Sequence, residues 1–326
     1  RSTLFPYTTL FRSPAGQKGD NMKDIFESLK EVLEDRNANK VIRNAPMAEH
    51  TSYKTGGKAD FLLLPESEKD LKKLLGFLKE NSCRYMLMGN GSNILVRDGG
   101  FPGIIIKIGK SFETVMVKDC FIEVGAGTLL AAVSRKAAEE SLTGLEFASG
   151  IPGSVGGAIF MNAGAYGGEM KDVVKSVRIL DREGATKILV AEELDFGYRH
   201  SRIQNTGEIV LSVVYNLKKG DRESIKHEMK ELAQKRNSKQ PVTYPSCGSF
   251  FKRPEGHFAG KLIEDAGFKG LKVGGAQVSE LHCGFIINTG EATSKDIIEL
   301  MHIVQAGVNK KFGVLLEPEV RIVGKD

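Results

Sequence analysis

The chain has 326 residues, 41% hydrophobic and 27% charged, which is long enough for two domains with their own cores. The formal charge of +5 is mild and its basic residues are spread among acidic ones, which argues against nucleic acid as a partner. Cys83, Cys120, Cys247 and Cys283 form no CxxC and are expected as free thiols in a reduced cytoplasmic protein, and no apolar run approaches the roughly 20 residues of a membrane span.

The leading RSTLFPYTTLFRS carries no starting Met, no signal-peptide order and no period, and resembles translated sequencing-adapter read-through. Residues 1–21 are expected to be a non-native or disordered tail with the natural start at Met22, a genuine flexible extension being the alternative. Ile25, Leu29 and Leu33 recur every fourth residue and predict a helix over Met22–Asp35. Phe61–Pro65 reads as a strand, and Ser67 with Asp70 opens a helix through Leu71, Leu74, Leu75 and Leu78. Strands are expected at Tyr85–Met88, Gly103–Ile108 and Phe121–Val124, and Thr128 is placed to cap a helix over Leu129–Glu140. Strands follow at Val174–Leu180, Lys187–Val190 and Ile209–Leu217. Asp221–Lys239 reads as a long charged helix at the domain joint. It precedes a helix Phe258–Ala266, a strand Phe285–Ile287, a helix Ser294–Phe312 and a strand Leu315–Val323. This mixture predicts an α+β protein, its larger lobe first and a smaller α/β lobe after about residue 220.

Between the predicted elements lies Ser149-Gly-Ile-Pro-Gly-Ser-Val-Gly-Gly-Ala-Ile-Phe-Met-Asn-Ala-Gly-Ala-Tyr-Gly167, glycine-rich and without a charge. Glycine concentrates where backbone presses against a ligand, and a segment of this kind suits amides closing over a flavin dinucleotide. A glycine linker is the bland alternative, but linkers lack the apolar Ile151, Val155, Ile159, Phe160 and Met161. Gly89-Asn-Gly-Ser-Asn93 offers consecutive N–H groups suited to a pyrophosphate, with a hairpin turn as an equal reading. It is not Rossmann-like, since Ile94 stands at the third glycine position and no helix is predicted to follow. Gly125-Ala-Gly-Thr128 offers a second backbone approach, or a plain strand-to-helix turn.

In Ser246-Cys-Gly-Ser-Phe-Phe-Lys-Arg-Pro254, Ser249 lies between a glycine and two aromatics, a placement that can hold a hydroxyl in a dry pocket near a reacting carbon. Cys247 as a nucleophile has no histidine tied to it and reads better as small filler. Phe196-Gly-Tyr-Arg-His-Ser201 sets Arg199 beside Tyr198 in a loop, suited to stabilising negative charge or to a surface ion pair. Glu317 and Glu319 flank Pro318 at alternating strand positions, either as functional buried carboxylates or as charge pairing at a sheet edge. Arg236 and Lys239 end a helix, as dipole complements or as a phosphate site. No histidine spacing fits a metal, and none is expected.

Six motifs in one order, Thr51-Ser-Tyr-Lys-Thr-Gly-Gly57, GNGSN, GIPGSVGGAIFMNAGAYG, FGYR, GSFFK and LEPEVR, closely resemble the UDP-N-acetylenolpyruvoylglucosamine reductase family over about Asn44 to Val323. The resemblance implies a vanillyl-alcohol-oxidase (PCMH) type FAD-binding domain in two lobes over residues 22–219. A smaller C-terminal α/β substrate domain would then occupy residues 220–326. It implies non-covalent FAD, NADPH as reductant and a UDP-sugar substrate, with no nucleic acid, membrane or obligate protein partner. By the same resemblance, Gly89, Asn90, Gly91, Ser92, Asn93, Gly125 and Gly127 are cofactor contacts. So are Ser149, Gly150, Pro152, Gly153, Gly156, Gly157, Asn162, Gly164 and Ala165. Ser249 resembles the family's proton donor, and Arg199 with Glu319 the pair that stabilises the intermediate. Tyr198, Arg236 and Lys239 resemble its substrate contacts, and Arg253, where some members have asparagine, falls at the diphosphate site. The short stretch from Leu217 to Arg236 resembles the subclass lacking the tyrosine-bearing insertion that closes over substrate. Two other readings stand beside this one. They are an FAD oxidoreductase of the same fold acting on a hydroxy acid or sugar, and a regulator that binds nucleotide without turnover.

Overall fold

The computed structural model describes residues 20–35 and 39–326. The leading segment set aside above lies outside the described residues. Contacts divide the chain into two units. One takes residues up to Asn44, Asp60–Asn90 and Gly103–Ala233, and the other takes Ala45–Ala59, Gly91–Pro102 and Gln234–Asp326. Among the described residues no helix is long and apolar enough to cross a membrane.

The first unit holds two sheets. Strands Val41–Pro46, Lys58–Leu63, Phe101–Lys107 and Tyr85–Met88 lie in that order, the last two running parallel. Helices Asp20–Val32 and Glu68–Glu80 bury Leu29, Leu71, Leu74 and Leu78 with Phe61, Leu63, Ile104 and Ile106 from this sheet. Ser67 caps the second helix, its hydroxyl accepting from the Asp70 amide at 3.1 Å. The first helix stops at Val32, short of the predicted Asp35. The Asp35 carboxylate instead accepts the amides of Asn39, Lys40 and Val41, which turns the chain into the first strand.

The second sheet is antiparallel, in the order Thr186–Val190, Val174–Leu180, Ile209–Asn216, Phe121–Gly125 and Val115–Lys118. Helices Leu130–Glu139 and Val155–Met161 pack Val133, Ala137, Val155 and Ile159 into the same core as Val177, Val213 and Tyr215. Thr128 does not cap the first of these helices. Its hydroxyl donates to the Thr114 carbonyl at 3.3 Å, and Leu129 takes the N-cap position without a side-chain bond.

The second unit buries Tyr53, Leu95, Phe250 and Phe251 against helices Ala259–Asp265 and Ser294–Phe312 and a three-stranded sheet. Thr293 and Asp296 form a capping box at the start of the long helix, and Gly313 ends it in the left-handed conformation. Only Arg321–Val323 of the predicted last strand pairs as one, parallel to Ile94–Val96. Pro318 has no N–H to give a ladder, and the stretch before the strand pairs with residues 250–252 instead.

Candidate flavin and substrate site

Three glycine-bearing segments converge in the first unit. The amides of Val155 and Gly156 donate to the carbonyls of Thr128 and Ala126 at 2.8 and 2.9 Å, and the Leu130 amide donates to Gly153 O at 3.0 Å. Asn90 donates its side-chain amide to the Pro152 carbonyl at 2.7 Å, which brings the third segment in. A Cβ built on Gly89 would stand 2.3 Å from the Ser154 hydroxyl, so with Ser154 in place a side chain here would displace that hydroxyl. The Ser154 Oγ is buried and has no hydrogen-bond partner among the described residues. A buried hydroxyl costs free energy unless paired, and its place among closely packed backbone suits a polar ligand group. Ser154 was not legible as a site residue, because its hydroxyl gains meaning only through its neighbours in space.

The loop from Gly89 is where the chain passes from the first unit to the second, between Asn90 and Gly91. The backbone amides of Asn90, Gly91 and Ser92 take no backbone carbonyl among the described residues, as an anion-binding nest requires. Gly91 is left-handed at φ +69°, and a Cβ there would meet the His50 carbonyl at 2.2 Å. Thr51, beside it, has a buried hydroxyl without a partner. Within the first unit, the orphaned Ser154 hydroxyl and the tight backbone around Gly89 suit a bulky, partly anionic dinucleotide such as FAD.

Other expected cofactor contacts are committed within the chain. Ser149 Oγ donates to Glu146 O at 2.8 Å. Asn162 is wholly buried, left-handed at φ +42°, and bonded at both ends of its amide. Gly164 and Ala165 pair with Gly168 and Glu169 in a small hairpin. Arg199 and Tyr198 form the turn between Gly197 and His200. The guanidinium donates to Gly164 O at 3.2 Å and lies 5.3 Å from the centre of the Tyr198 ring.

Ser249 and Glu319 belong to the second unit, where one backbone pairing positions both. Phe250 accepts from the Glu319 amide at 2.8 Å, Lys252 donates to Glu317 O at 2.8 Å, and Phe251 faces Pro318. Asn93 joins them by donating its side-chain amide to Glu319 O at 3.1 Å. Ser249 is exposed rather than set in a dry pocket, in a loop outside any strand. Neither carboxylate is fully buried. Glu317 is exposed and paired with Lys252 at 3.2 Å, the sheet-edge arrangement, while Glu319 is half-buried. Burial pushes the Cys247 thiol up to about 12 while it donates to Ile94 O, so it is inert filler. Arg253 stacks on Phe258, its guanidinium 4.0 Å from the ring centre. Arg236 is half-buried and Lys239 exposed, both in the last turn of helix Arg222–Lys239. Among the described residues no group of three His, Cys, Asp or Glu is placed to hold a metal.

Comparison with known proteins identifies the family. Residues 59–189 match the FAD binding domain model. Residues 240–323 match the C-terminal domain model of UDP-N-acetylenolpyruvoylglucosamine reductase. The chain is 48% identical over 306 residues to the UDP-N-acetylenolpyruvoylglucosamine reductase of Clostridioides difficile (strain 630), covering 94% of this chain and all of the relative. It is 51% identical to that of Alkaliphilus oremlandii (strain OhILAs), over 88% of this chain and 94% of the relative. The crystal structure of the Thermus caldophilus UDP-N-acetylenolpyruvylglucosamine reductase superposes with a TM-score of 0.76 at 38% identity, covering 87% of this chain and 98% of that one. The chain therefore belongs to the UDP-N-acetylenolpyruvoylglucosamine reductase family, with an FAD-binding domain of the vanillyl-alcohol-oxidase (PCMH) type followed by the family's C-terminal domain.

Proposed function

We infer that the protein reduces UDP-N-acetylglucosamine enolpyruvate to UDP-N-acetylmuramate with NADPH and non-covalent FAD, the reduction step of peptidoglycan precursor synthesis. The observation that carries this reading is family membership across 94% of the chain. In this reading the reaction runs in the cytoplasm and needs no obligate protein partner. The same reading takes residues 22–219 as the FAD-binding domain and 220–326 as the substrate domain.

Bound FAD supplies the two-electron exchange between NADPH and the enol ether. In the first unit the Asn90 amide, which takes no backbone carbonyl, and the unpartnered Ser154 hydroxyl would hold its phosphates. Arg199 offsets the negative charge that spreads onto the substrate carboxylate as the α-carbon becomes electron-rich, and the Glu319 carboxyl polarises the same group. Ser249 gives its hydroxyl proton to the α-carbon, so the reduced double bond gains one hydrogen at each carbon. A serine hydroxyl is a weak acid in water, and Ser249 is exposed, so the bound substrate has to strip water from it. Tyr198, Arg236, Lys239 and Arg253 hold the carboxylate and diphosphate.

Anaerobic NADPH is expected to bleach the flavin absorbance, and the enolpyruvyl UDP-sugar to restore it. Ser249→Ala keeps the bleaching and slows the restoration by about 10² to 10⁴-fold. An unaffected restoration removes Ser249 from the mechanism, and a flavin that NADPH cannot bleach removes the reductase reading.

A further inference from the structure

Arg199 is held in the left-handed region at φ +54°, a conformation that costs a non-glycine residue about 1 kcal/mol or more. Its turn closes by mutual backbone bonds between Gly197 and His200, both at 3.1 Å. Two side-chain amides from outside the turn hold it in place. Asn162 donates to Gly197 O at 3.0 Å and to the Glu169 carboxylate at 2.9 Å, and accepts from the Lys171 amide at 3.0 Å. Gln204 donates one N–H to the carbonyl of Arg199 itself at 2.9 Å and the other to Phe160 O at 2.8 Å. Phe160 lies in helix Val155–Met161, within the glycine-rich segment. The Ser201 hydroxyl reaches the same Phe160 carbonyl at 2.9 Å, so this end of the tie is doubly anchored.

We propose that Gln204 is a positioning residue for the reaction, acting through Arg199 by tying its strained backbone to the segment expected to line the flavin. The inference rests on the role given to Arg199 above. The Gln204 bond touches Arg199's own main chain, whereas Asn162 holds a residue two positions earlier. Without it, Arg199 relaxes toward the right-handed region and its guanidinium swings away, although every side chain that forms the site is still present. A displacement of about 1 Å at a reacting group costs on the order of 100-fold in rate.

The test uses the FAD-loaded full chain and two variants of near-native shape. Gln204→Met has no donor, and Gln204→Glu offers a carboxylate that accepts but cannot donate to either carbonyl. Both are expected to keep flavin content, flavin absorbance and the NADPH half-reaction within about 2-fold. Both should slow flavin reoxidation by the enolpyruvyl UDP-sugar by about 10- to 100-fold. In an Arg199→Ala background, adding Gln204→Met should change reoxidation by less than about 2-fold, because the group it positions is already gone. Equal losses with and without the Arg199 side chain overturn the proposal, as does unchanged reoxidation in both single variants. Failure of both variants to fold or hold flavin makes Gln204 purely structural and also overturns it. A slow Arg199→Ala with a fast Gln204→Met removes Gln204 alone, whereas Arg199→Ala at the native rate removes the role of Arg199 and the inference with it.

Discussion

Gly89 and Ser154 set each other's identity, since a methyl group at position 89 would sit 2.3 Å from the serine hydroxyl and 3.6 Å from its Cβ. The hydroxyl is the obstacle, because 3.6 Å is ordinary contact. Gly89→Ala should therefore force Ser154 off its place, at about 1 to 3 kcal/mol of overpacking, and weaken FAD binding. In a Gly89→Ala/Ser154→Ala double variant the clash is gone, and about 1 kcal/mol or more of the stability should return. Denaturant melts of the two single variants and the double variant measure this coupling, and additive losses would show that the crowding lies elsewhere. Gly91 has no such remedy, because its conflict is with the His50 backbone carbonyl and its φ is positive. Two glycines of one motif thus answer to different constraints, one removable by a second substitution and one not.

Glu68, in the first turn of helix Glu68–Glu80, ties that helix to two strands of the antiparallel sheet. It accepts from Lys72 at 2.9 Å, from the Thr186 hydroxyl at 2.8 Å and from Arg178. The Lys72 hydrogen bond, helped by those of Thr186 and Arg178, holds its carboxyl at about 2, below the ordinary value of 4.5. A depressed carboxyl pKa adds stability that is complete above 4.5 and fades as pH falls toward 2. With its side chain 27% exposed, solvent screening leaves this at on the order of 1 to 2 kcal/mol. Glu68→Gln should lower Tm by about 1.5 to 3 °C at pH 7, and the gap to the native chain should narrow between pH 4.5 and 2. A gap constant across that window would show that the carboxylate charge contributes nothing. Elements governed by local rules were legible in the chain. Ser67 with Asp70, and Ser294–Phe312 with its apolar period, needed only neighbours in sequence. Thr128 misled because the carbonyl of Thr114, fourteen residues earlier, competes for its hydroxyl, and the edge strand Val115–Lys118 escaped notice because it alternates weakly. The glycine segments of the site were readable as composition, whereas Ser154 and Gln204 owe their roles to distant backbone groups that no local pattern announces.

At the scale of the whole molecule, the chain does not finish one unit before starting the next. It leaves the first unit at Ala45, returns at Asp60, leaves again at Gly91, returns at Gly103 and crosses a last time at Gln234. The first unit is built around Phe61, Val177 and Tyr215, and the second around Tyr53, Phe250 and Leu300. The sequence reading divides the chain once, near residue 220, and gives no sign of the crossings at Ala45, Asp60, Gly91 and Gly103. Residues 45–59 and 91–102 carry too little apolar periodicity to announce which core they join. One of these crossings runs through the Gly89–Asn93 loop, so a ligand that orders the loop also constrains where the chain changes unit. FAD binds the folded chain and not the unfolded one, so it adds about 2.7 kcal/mol of stability at a free concentration 100 times its Kd. For a chain of this size that corresponds to a rise in Tm of about 4 °C. Removing the flavin should lower Tm by this amount and readdition should restore it. Riboflavin, which has the ring but no phosphates for the backbone nest, should restore much less. Equal recovery with riboflavin would place the binding energy in the ring contacts and empty the nest of its role. A Tm indifferent to FAD would mean that the glycine segments do not hold the cofactor at all.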